Sequence, residues 1–442
     1  MDKSFAIHSF GCKVNQEEGR SVAALFLSLG WQEYTLEQQA DLYIINACAV
    51  TQEAERKARA LLRRLRREHP QSLIALCGCY AQVAAAQLMQ LPELDIVAGV
   101  EERAKLPQLV MEKLAAGKGQ VLDAAAPLRA GQTFTLIAAV SEQKRARAYL
   151  KIEDGCAEFC NYCIVPYARG PARSLPQEQA LRQGATLVNQ GHREIVVSGV
   201  HIGAYGRDLQ DGSSLPGLIC ALAALPGLQR LRLGSIEPQQ FTAEILTMLR
   251  TQGKICHQLH IPLQSGCDRT LQAMGRKYLS ADYAKLVAEL RQIYADVAIT
   301  TDIMVGYPGE TTADFAQSRQ FCEQIGFARM HVFPYSPRPG TPAAVLPQLS
   351  REEKKRRATL MGETARSLAS RYGKRFIGSR LLLLPEQIEQ RGEQWYLWGH
   401  SDNYLPLGLP ISQPAFPEGG ELLPVVGVKW VEEGLLVAPA AD

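Results

Sequence analysis

The sequence predicts an α/β protein in three parts: a small parallel α/β domain, a central partial (β/α)6 barrel and a small all-β barrel. Three observations predict it. Residues 1 to about 118 alternate short β-rich runs with amphipathic helical patterns. From Arg147 to Ser336, six strand candidates recur with helices between them. After the basic helix Arg351–Tyr372, short strands are broken by Gly and Pro. The expected domains are 1–118, 142–372 and 373–442, since 442 residues are too many for one core.

In the first part the strand runs are Ser4–Ser9, Asp41–Ala47, Leu73–Cys77 and Asp95–Ala98. Strands alternating with helices imply a parallel sheet. Among the helices, Glu53–Glu68 places apolar residues at helical spacing and Arg elsewhere. Ala115 to Gly131, rich in Ala and Gly, reads as a linker. The central strands are Ala148–Glu153, Glu194–Ser198, Leu228–Ser235, Gln258–Leu263, Ala298–Val305 and Met330–Tyr335. Such a run of β/α units puts chemistry at the C-terminal strand ends. In the last part, Gly378–Leu384 and Trp395–Trp398 are strand candidates.

Composition is that of an ordinary globular protein. Apolar stretches such as Thr133–Val140 are too short to span a bilayer, and the N-terminus lacks a signal peptide's apolar core. A cytoplasmic protein is expected, without a membrane partner. Eleven cysteines in a reducing compartment argue for metal or redox chemistry rather than disulfides. Seven basic and no acidic residues lie from Arg56 to Arg67, and ten basic against three acidic from Arg351 to Arg380. Both runs suit a polyanion such as RNA, although a solvated face has the same look. From Ile377 onward the balance reverses, to three basic and nine acidic residues.

Cys156, Cys160 and Cys163 stand in the run Asp-Gly-Cys-Ala-Glu-Phe-Cys-Asn-Tyr-Cys. Three thiolates on one loop can hold three corners of a cubane iron–sulfur cluster. The next His is His192, so a four-ligand zinc site is poorly served. A cluster with one iron open to a small molecule fits better. The spacing, with Tyr162 before the last Cys, resembles the signature of the radical S-adenosylmethionine (SAM) enzymes, in which SAM chelates that open iron.

A second triad is dispersed. Cys12 ends the first strand, Cys48 the second, and Cys79 follows the third. In a parallel sheet the loops after the strands converge on one edge, so the three can meet. Cys77 competes with Cys79 but lies within the strand, and Cys79 is favoured. The remaining cysteines are read as structural.

Two triads plus a terminal β-domain resemble the radical SAM methylthiotransferases over essentially the whole chain. The resemblance runs through Ser198–Gly206 (Ser-Gly-Val-His-Ile-Gly-Ala-Tyr-Gly), Gly234–Pro238 (Gly-Ser-Ile-Glu-Pro) and His260–Asp268 (His-Ile-Pro-Leu-Gln-Ser-Gly-Cys-Asp). It continues in Thr301–Thr311 and Phe333–Thr341. Gly-Cys-Lys-Val-Asn-Gln at Gly11–Gln16 is most similar to the branch acting on N6-threonylcarbamoyladenosine at position 37 of tRNA. The alternatives within the family are N6-isopentenyladenosine 37 and a ribosomal-protein aspartate. Outside it stands a non-catalytic iron–sulfur protein that binds RNA or senses redox state.

The resemblance implies two [4Fe-4S] clusters, one on each triad. It also implies SAM used twice, as methyl donor and as source of a 5′-deoxyadenosyl radical, so that C2 of the adenine gains a methylthio group. The implied partners are a tRNA anticodon stem-loop, an electron donor such as flavodoxin or ferredoxin, and a sulfur donor. SAM is expected along the C-terminal strand ends, near Gly199, Ser235, Glu237 and Gln264, each of which also suits a strand-end role. His201, His260 and His331 read as structural. For RNA the candidates are Arg63 and Arg66, with Arg169 and Arg173, which could equally pair with carboxylates. The last domain resembles the TRAM barrel, keeping Trp398–Tyr404, yet its acidity opposes phosphate contact.

Overall fold

The computed structural model describes residues 3–117, 121–126, 128, 134, 147–417 and 421–440. The expected linker beyond residue 117, the apolar run Thr133–Val140 and the domain bound at 142 lie largely outside them. The chain runs β1 (Ser4–Ser9), α1 (Lys13–Ser28), β2 (Gln32–Glu33), β3 (Leu42–Asn46), α2 (Gln52–Glu68), β4 (Leu73–Cys77) and α3 (Cys79–Leu88). Then follow β5 (Ile96–Ala98), α4 (Leu106–Ala116), β6 (Leu122–Ala124), β7 (Arg147–Lys151), β8 (Glu153–Asp154), α5 (Val165–Arg169) and β9 (Arg173–Ser174). Next are α6 (Gln177–Asn189), β10 (Glu194–Ser198), α7 (Leu215–Ala223), β11 (Arg230–Leu233), α8 (Ala243–Thr251), β12 (Gln258–His260) and α9 (Asp268–Ala273). The rest comprises α10 (Ser280–Ile293), β13 (Ala298–Val305), α11 (Thr312–Ile325), β14 (Arg329–Pro334), α12 (Arg351–Lys374) and β15 (Arg380–Arg391). Last come β16 (Gln394–His400), β17 (Pro406–Ile411), β18 (Leu423–Val431) and β19 (Gly434–Pro439).

Compactness divides the chain otherwise than the three expected bounds. One unit is Met1–Val140 with Glu153–Leu175 and Ser336–Val345; the other is Ser141–Ile152, Pro176–Tyr335 and Leu346–Asp442. Polar anchors account for the regrouping. In the first unit Arg338 forms a buried ion pair with Glu55, and Ala343 N donates to Asn161 O at 2.9 Å. In the second, Arg230 donates to the carbonyls of Leu382 and His400, and Arg232 to those of Ser401 and Asp402. The terminal barrel is thereby part of the second unit.

The first unit holds a parallel six-stranded sheet in the order β2-β1-β3-β4-β5-β6. β3 and β4 are wholly buried, as expected for apolar runs covered on both faces. Ala58, Leu61, Leu62 and Leu65 of α2 pack on one face, while Val22 and Phe26 of α1 pack on the other. The strand order reverses at β1, so the loops after β1 and β3 diverge and leave a crevice at the carboxyl edge. Cys12 and Cys48 lie in those two loops.

The second unit carries six parallel strands in chain order. They form sheets β7-β10-β11 and β12-β13-β14, joined through the bridges Leu231–Ile255 and Ser235–His260. Its terminal five strands close into the barrel β15-β16-β17-β19-β18 around Leu383, Leu397, Leu407, Val425 and Leu435. No helix among the described residues is long and apolar enough to cross a membrane.

Candidate metal centres

Two cysteines of the dispersed triad leave their strand ends through a glycine turn. Gly11 turns at φ +108°, and a Cβ there would stand 2.2 Å from that of Cys48, so only glycine permits this approach. Cys12 then caps the N-terminus of α1 and remains exposed. Cys48 follows β3 and is buried. Gly78, at φ +93°, turns the chain out of β4 so that Cys79 opens α3; its Cβ would meet Asn46 Oδ1 at 2.5 Å.

Asn46 and Asn15, both fully buried, clamp these turns. Asn46 donates to Asn15 O at 2.6 Å, and Asn15 donates to the carbonyls of Phe10 (2.7 Å) and Asn46 (3.1 Å). Sequence reasoning missed both, although a polar residue ending an otherwise apolar buried strand is a signal.

The three thiols act on one another. A hydrogen bond with Cys48 holds the Cys12 thiol well below its ordinary pKa, against burial and with help from Arg169. Cys48 is pushed up by that same bond, by burial, and by the charge of Cys12 and Cys79. Cys79 is raised by burial, with Arg169 opposing. Cys77 stays inside β4, fully buried, its thiol pushed up to about 12 by burial and its Sγ 3.8 Å from Asn46 Oδ1. Thiols that act on one another suit a thiolate-bound metal group, whereas Cys77 is enclosed within the strand.

The compact triad lies on a loop closed at its base by the antiparallel pair β8 and β9. Cys156 N donates to Gly170 O at 2.9 Å, and Cys163 N to Cys160 O at 2.9 Å. Gly155 adopts φ +89°, and a Cβ there would lie 2.1 Å from Pro171 O. Phe159 holds a left-handed φ of +45° and is exposed beside Tyr167. All three cysteines are half-buried, and burial pushes Cys156 up to about 12. Backbone N–H groups already point at sulfur: Val50 N lies 3.4 Å from Cys48 Sγ and Glu158 N 3.5 Å from Cys156 Sγ. Such donors stabilise thiolate, as a cluster ligand requires.

Both triads belong to the first unit. In that unit Ala49, Cys79, Val100, Ile164 and Ala168 form a small apolar cluster. Ala49 follows Cys48 and Ile164 follows Cys163, so residues next to a cysteine of each triad share the same packing.

Arg169 and Arg173 are corrected as RNA contacts. Arg169 is only 2% exposed and donates to Glu18 Oε1 and Oε2 and to Asp154 Oδ1, each at 2.8 Å. Arg173 is 3% exposed and pairs with Glu101 at 2.8 Å. A guanidinium buried among carboxylates has no face left for phosphate. Arg66 is also withdrawn, held by Asp95 at 2.5 Å and by the carbonyls of Glu93 and Ser72. Arg63 remains exposed with no ion-pair partner among the described residues. With Arg56, Arg59, Tyr80 and Leu91 it lines a cavity of about 500 Å³ between α2 and α3. Arg59 donates to Tyr80 Oη at 3.2 Å there.

In the second unit Gly199, Ser235, Glu237 and Gln264 fall at the carboxyl ends of successive parallel strands, as expected. Gly199 follows β10, and Ser235 bridges to His260. Glu237 pairs with Arg276, so its carboxylate is fixed rather than swinging free. Gln264 carries the clearest functional signal. Its φ is +66°, a strained value for a non-glycine residue, enforced by bonds to Asp302 O and from Met304 N, each 2.9 Å. Its buried Oε1 has no hydrogen-bond partner among the described residues. An orphaned acceptor at a strand end fits a bound donor, such as a hydroxyl or amino group of SAM. His201 bonds Gln240 at 2.6 Å, and His260 bonds Thr300 and Asp302, which suits structural roles. Trp398, which opens the TRAM-like segment, is buried beneath Gly408.

Residues 150–322 match the Radical SAM superfamily, and residues 4–99 match a family described as uncharacterized, UPF0004. The threonylcarbamoyladenosine tRNA methylthiotransferase MtaB of Thermotoga maritima is 37% identical over 405 residues, covering 91% of this chain and 90% of that one. Its namesake from Bacillus subtilis is 35% identical over 402 residues, covering 90% and 89%. A tRNA-2-methylthio-N(6)-dimethylallyladenosine synthase of Moorella thermoacetica is 34% identical over 394 residues, covering 87% of each. Among solved structures, the radical S-adenosylmethionine methyltransferase TsrM from Kitasatospora setae, bound to tryptophan and a SAM analog, superposes with a TM-score of 0.56. That likeness covers 78% of this chain and 75% of the other at 13% identity, and is one of fold.

Proposed function

The chain belongs to the radical SAM methylthiotransferase family, and from that premise we propose that it methylthiolates C2 of N6-threonylcarbamoyladenosine at position 37 of tRNA. The observation carrying this reading is the gathering of two cysteine triads in one compact unit. For the nucleoside, support comes from Lys13-Val14 behind Cys12, with Lys13 opening α1 at the dispersed triad, and from the two relatives at 37% and 35% identity.

The cofactors are two [4Fe-4S] clusters and SAM, which when bound supply the radical, the sulfur and the methyl group. The chain's own part is to hold and shield them. Cys12, Cys48 and Cys79 hold one cluster, and Cys156, Cys160 and Cys163 the other. Gln264 accepts a hydrogen bond from SAM, and Gly199 and Ser235 leave backbone room beside it. Because the reaction consumes electrons and sulfur, an electron donor such as flavodoxin or ferredoxin and a sulfur donor are partners. The working compartment is the cytoplasm.

Nucleoside mass spectrometry of tRNA from a deletion strain tests the assignment. The methylthiolated threonylcarbamoyladenosine disappears and the unmethylthiolated nucleoside accumulates. Loss of the isopentenyl derivative instead overturns the choice of substrate. Unchanged tRNA overturns RNA as the substrate.

The anticodon stem-loop meets α2 at Arg56, Arg59 and Arg63, around the cavity backed by Tyr80. Charge reversal at Arg63 therefore weakens tRNA binding and reduces the slope of log K against log[salt] by about 0.9 for each phosphate no longer neutralised. Fluorescence anisotropy across a potassium chloride series measures it, with iron content as the fold control. A silent Arg63→Glu variant removes α2 from the RNA surface.

A further inference from the structure

We propose that Arg329, His331 and Asp302, at the open end of a polar strand face in the second unit, receive the threonyl group of the substrate nucleoside and set its preference over an apolar modification. The inference rests on the reading above that the substrate carries threonylcarbamoyl. Side-chain bonds cross this face from strand to strand. Arg232 of β11 meets Glu194 of β10 at 2.7 Å, and Gln258 of β12 meets Thr300 of β13 at 2.9 Å. His260 of β12 bonds Thr300 at 3.0 Å and Asp302 at 3.3 Å. In the parallel register Thr300 lies opposite Arg329 and Asp302 opposite His331, so both β14 side chains join the same face. The His260 and His331 rings meet edge to face, their centroids 6.3 Å apart. Helices cover the other face, which is apolar through Leu259, Ile299 and Ile303.

Exposure grades along the polar face. Glu194 and Arg232 are buried, whereas the Asp302 side chain is 32% exposed and Arg329 and His331 stand exposed. β14 ends its sheet, paired with β13 on one side only. Arg329 has no ion-pair or hydrogen-bond partner among the described residues. Burial and the Arg329 charge lower the pKa of His331, with Asp302 opposing, so the ring is an uncharged hydrogen-bond donor at neutral pH. The open end thus offers a cation, a neutral donor and an acceptor. A threonyl group offers their complement. A guanidinium takes its carboxylate through two parallel bonds, the imidazole N–H adds a third, and Asp302 accepts from its hydroxyl. An isopentenyl group offers none of these and would cover polar groups without pairing them.

Fluorescence anisotropy of the full-length, anaerobically reconstituted protein tests this, with anticodon stem-loops bearing threonylcarbamoyladenosine, isopentenyladenosine or plain adenosine at the target position. The parent prefers the threonylcarbamoyl loop. Arg329→Met weakens that loop about tenfold and leaves the other two unchanged. His331→Phe and Asp302→Asn act in the same direction by less, and Arg329→Lys stays nearest the parent. Esterifying the threonyl carboxylate costs the parent the same factor and makes Arg329→Met silent, which neither a brace of the fold nor a phosphate contact would do. Equal weakening of all three loops makes Arg329 a phosphate contact. Weaker SAM binding by equilibrium dialysis without RNA makes it a SAM contact. Either result overturns the proposal, as does an undiminished preference in both Arg329→Met and His331→Phe. A parent that prefers the isopentenyl loop overturns the substrate reading beneath it.

Discussion

Replacing Cys12, Cys48 and Cys79 together by Ala abolishes methylthio transfer but leaves reductive cleavage of SAM to 5′-deoxyadenosine measurable, whereas replacing Cys156, Cys160 and Cys163 abolishes both. The parent protein holds about eight irons after anaerobic reconstitution, and either triple variant about four. The asymmetry follows from the ligand sets. Each triad is completed without a cysteine of the other, through separate turns at Gly11 and Gly78 in one case and at Gly155 in the other. Cys77→Ala keeps the full iron content, because that thiol is enclosed in β4. Iron assay and chromatographic quantitation of 5′-deoxyadenosine read these outcomes. Eight irons in either triple variant, or deoxyadenosine formed without Cys156, Cys160 and Cys163, refutes the assignment.

A second large effect lies in the other unit. Glu194 is fully buried at the start of β10, bonded to Arg232 at 2.7 Å and within 3.8 Å of Arg147 and Arg230. Two of these arginines, Arg230 and Arg232, hold the terminal barrel through its carbonyls. Glu194→Ala leaves their charge uncompensated and destabilises this unit by about 3–5 kcal/mol at neutral pH. Burial pushes the Glu194 carboxyl up, but Arg232, Arg147 and Arg230 together outweigh it and hold the group below its ordinary 4.5. A carboxyl depressed on folding contributes in full above its unfolded pKa and loses that contribution as pH falls through the folded one. The gap between parent and variant is therefore widest above about pH 4.5 and closes at lower pH. Urea denaturation followed by fluorescence of Trp395, Trp398 and Trp430, all in the barrel, measures it. An equal gap at pH 7 and pH 3 contradicts the account.

How much of this could be read beforehand depended on whether the signal was local. β1, β4, β10 and β13 follow the sequence runs to the residue, because apolar periodicity is a property of neighbours. Edge strands β2 and β6, of two and three residues, carry no such pattern. Cysteines announced themselves by chemistry and by position after strands. Arginines did not: Arg63 and Arg66 are neighbours in one basic run, yet Arg66 is consumed by Asp95, twenty-nine residues on. Whether a cation faces solvent or a carboxylate is decided by long-range packing, which charge counts do not record. Asn15, Asn46, Glu18 and Arg103 were missed for the same reason. Each serves through a partner far away in sequence.

The N-terminal unit is assembled from three stretches of chain, and the last, Ser336–Val345, begins 160 residues after the second has ended. A ribosome therefore releases all six cysteines well before the segment that supplies Arg338 and Ala343 to this unit. Until that segment emerges, Glu55 lacks the Arg338 charge that offsets its burial. The contacts of this last stretch with Glu55 and Asn161 form only after Tyr335 has been made. A nascent chain stalled before Ser336 therefore displays all six thiols while this unit still lacks its third stretch.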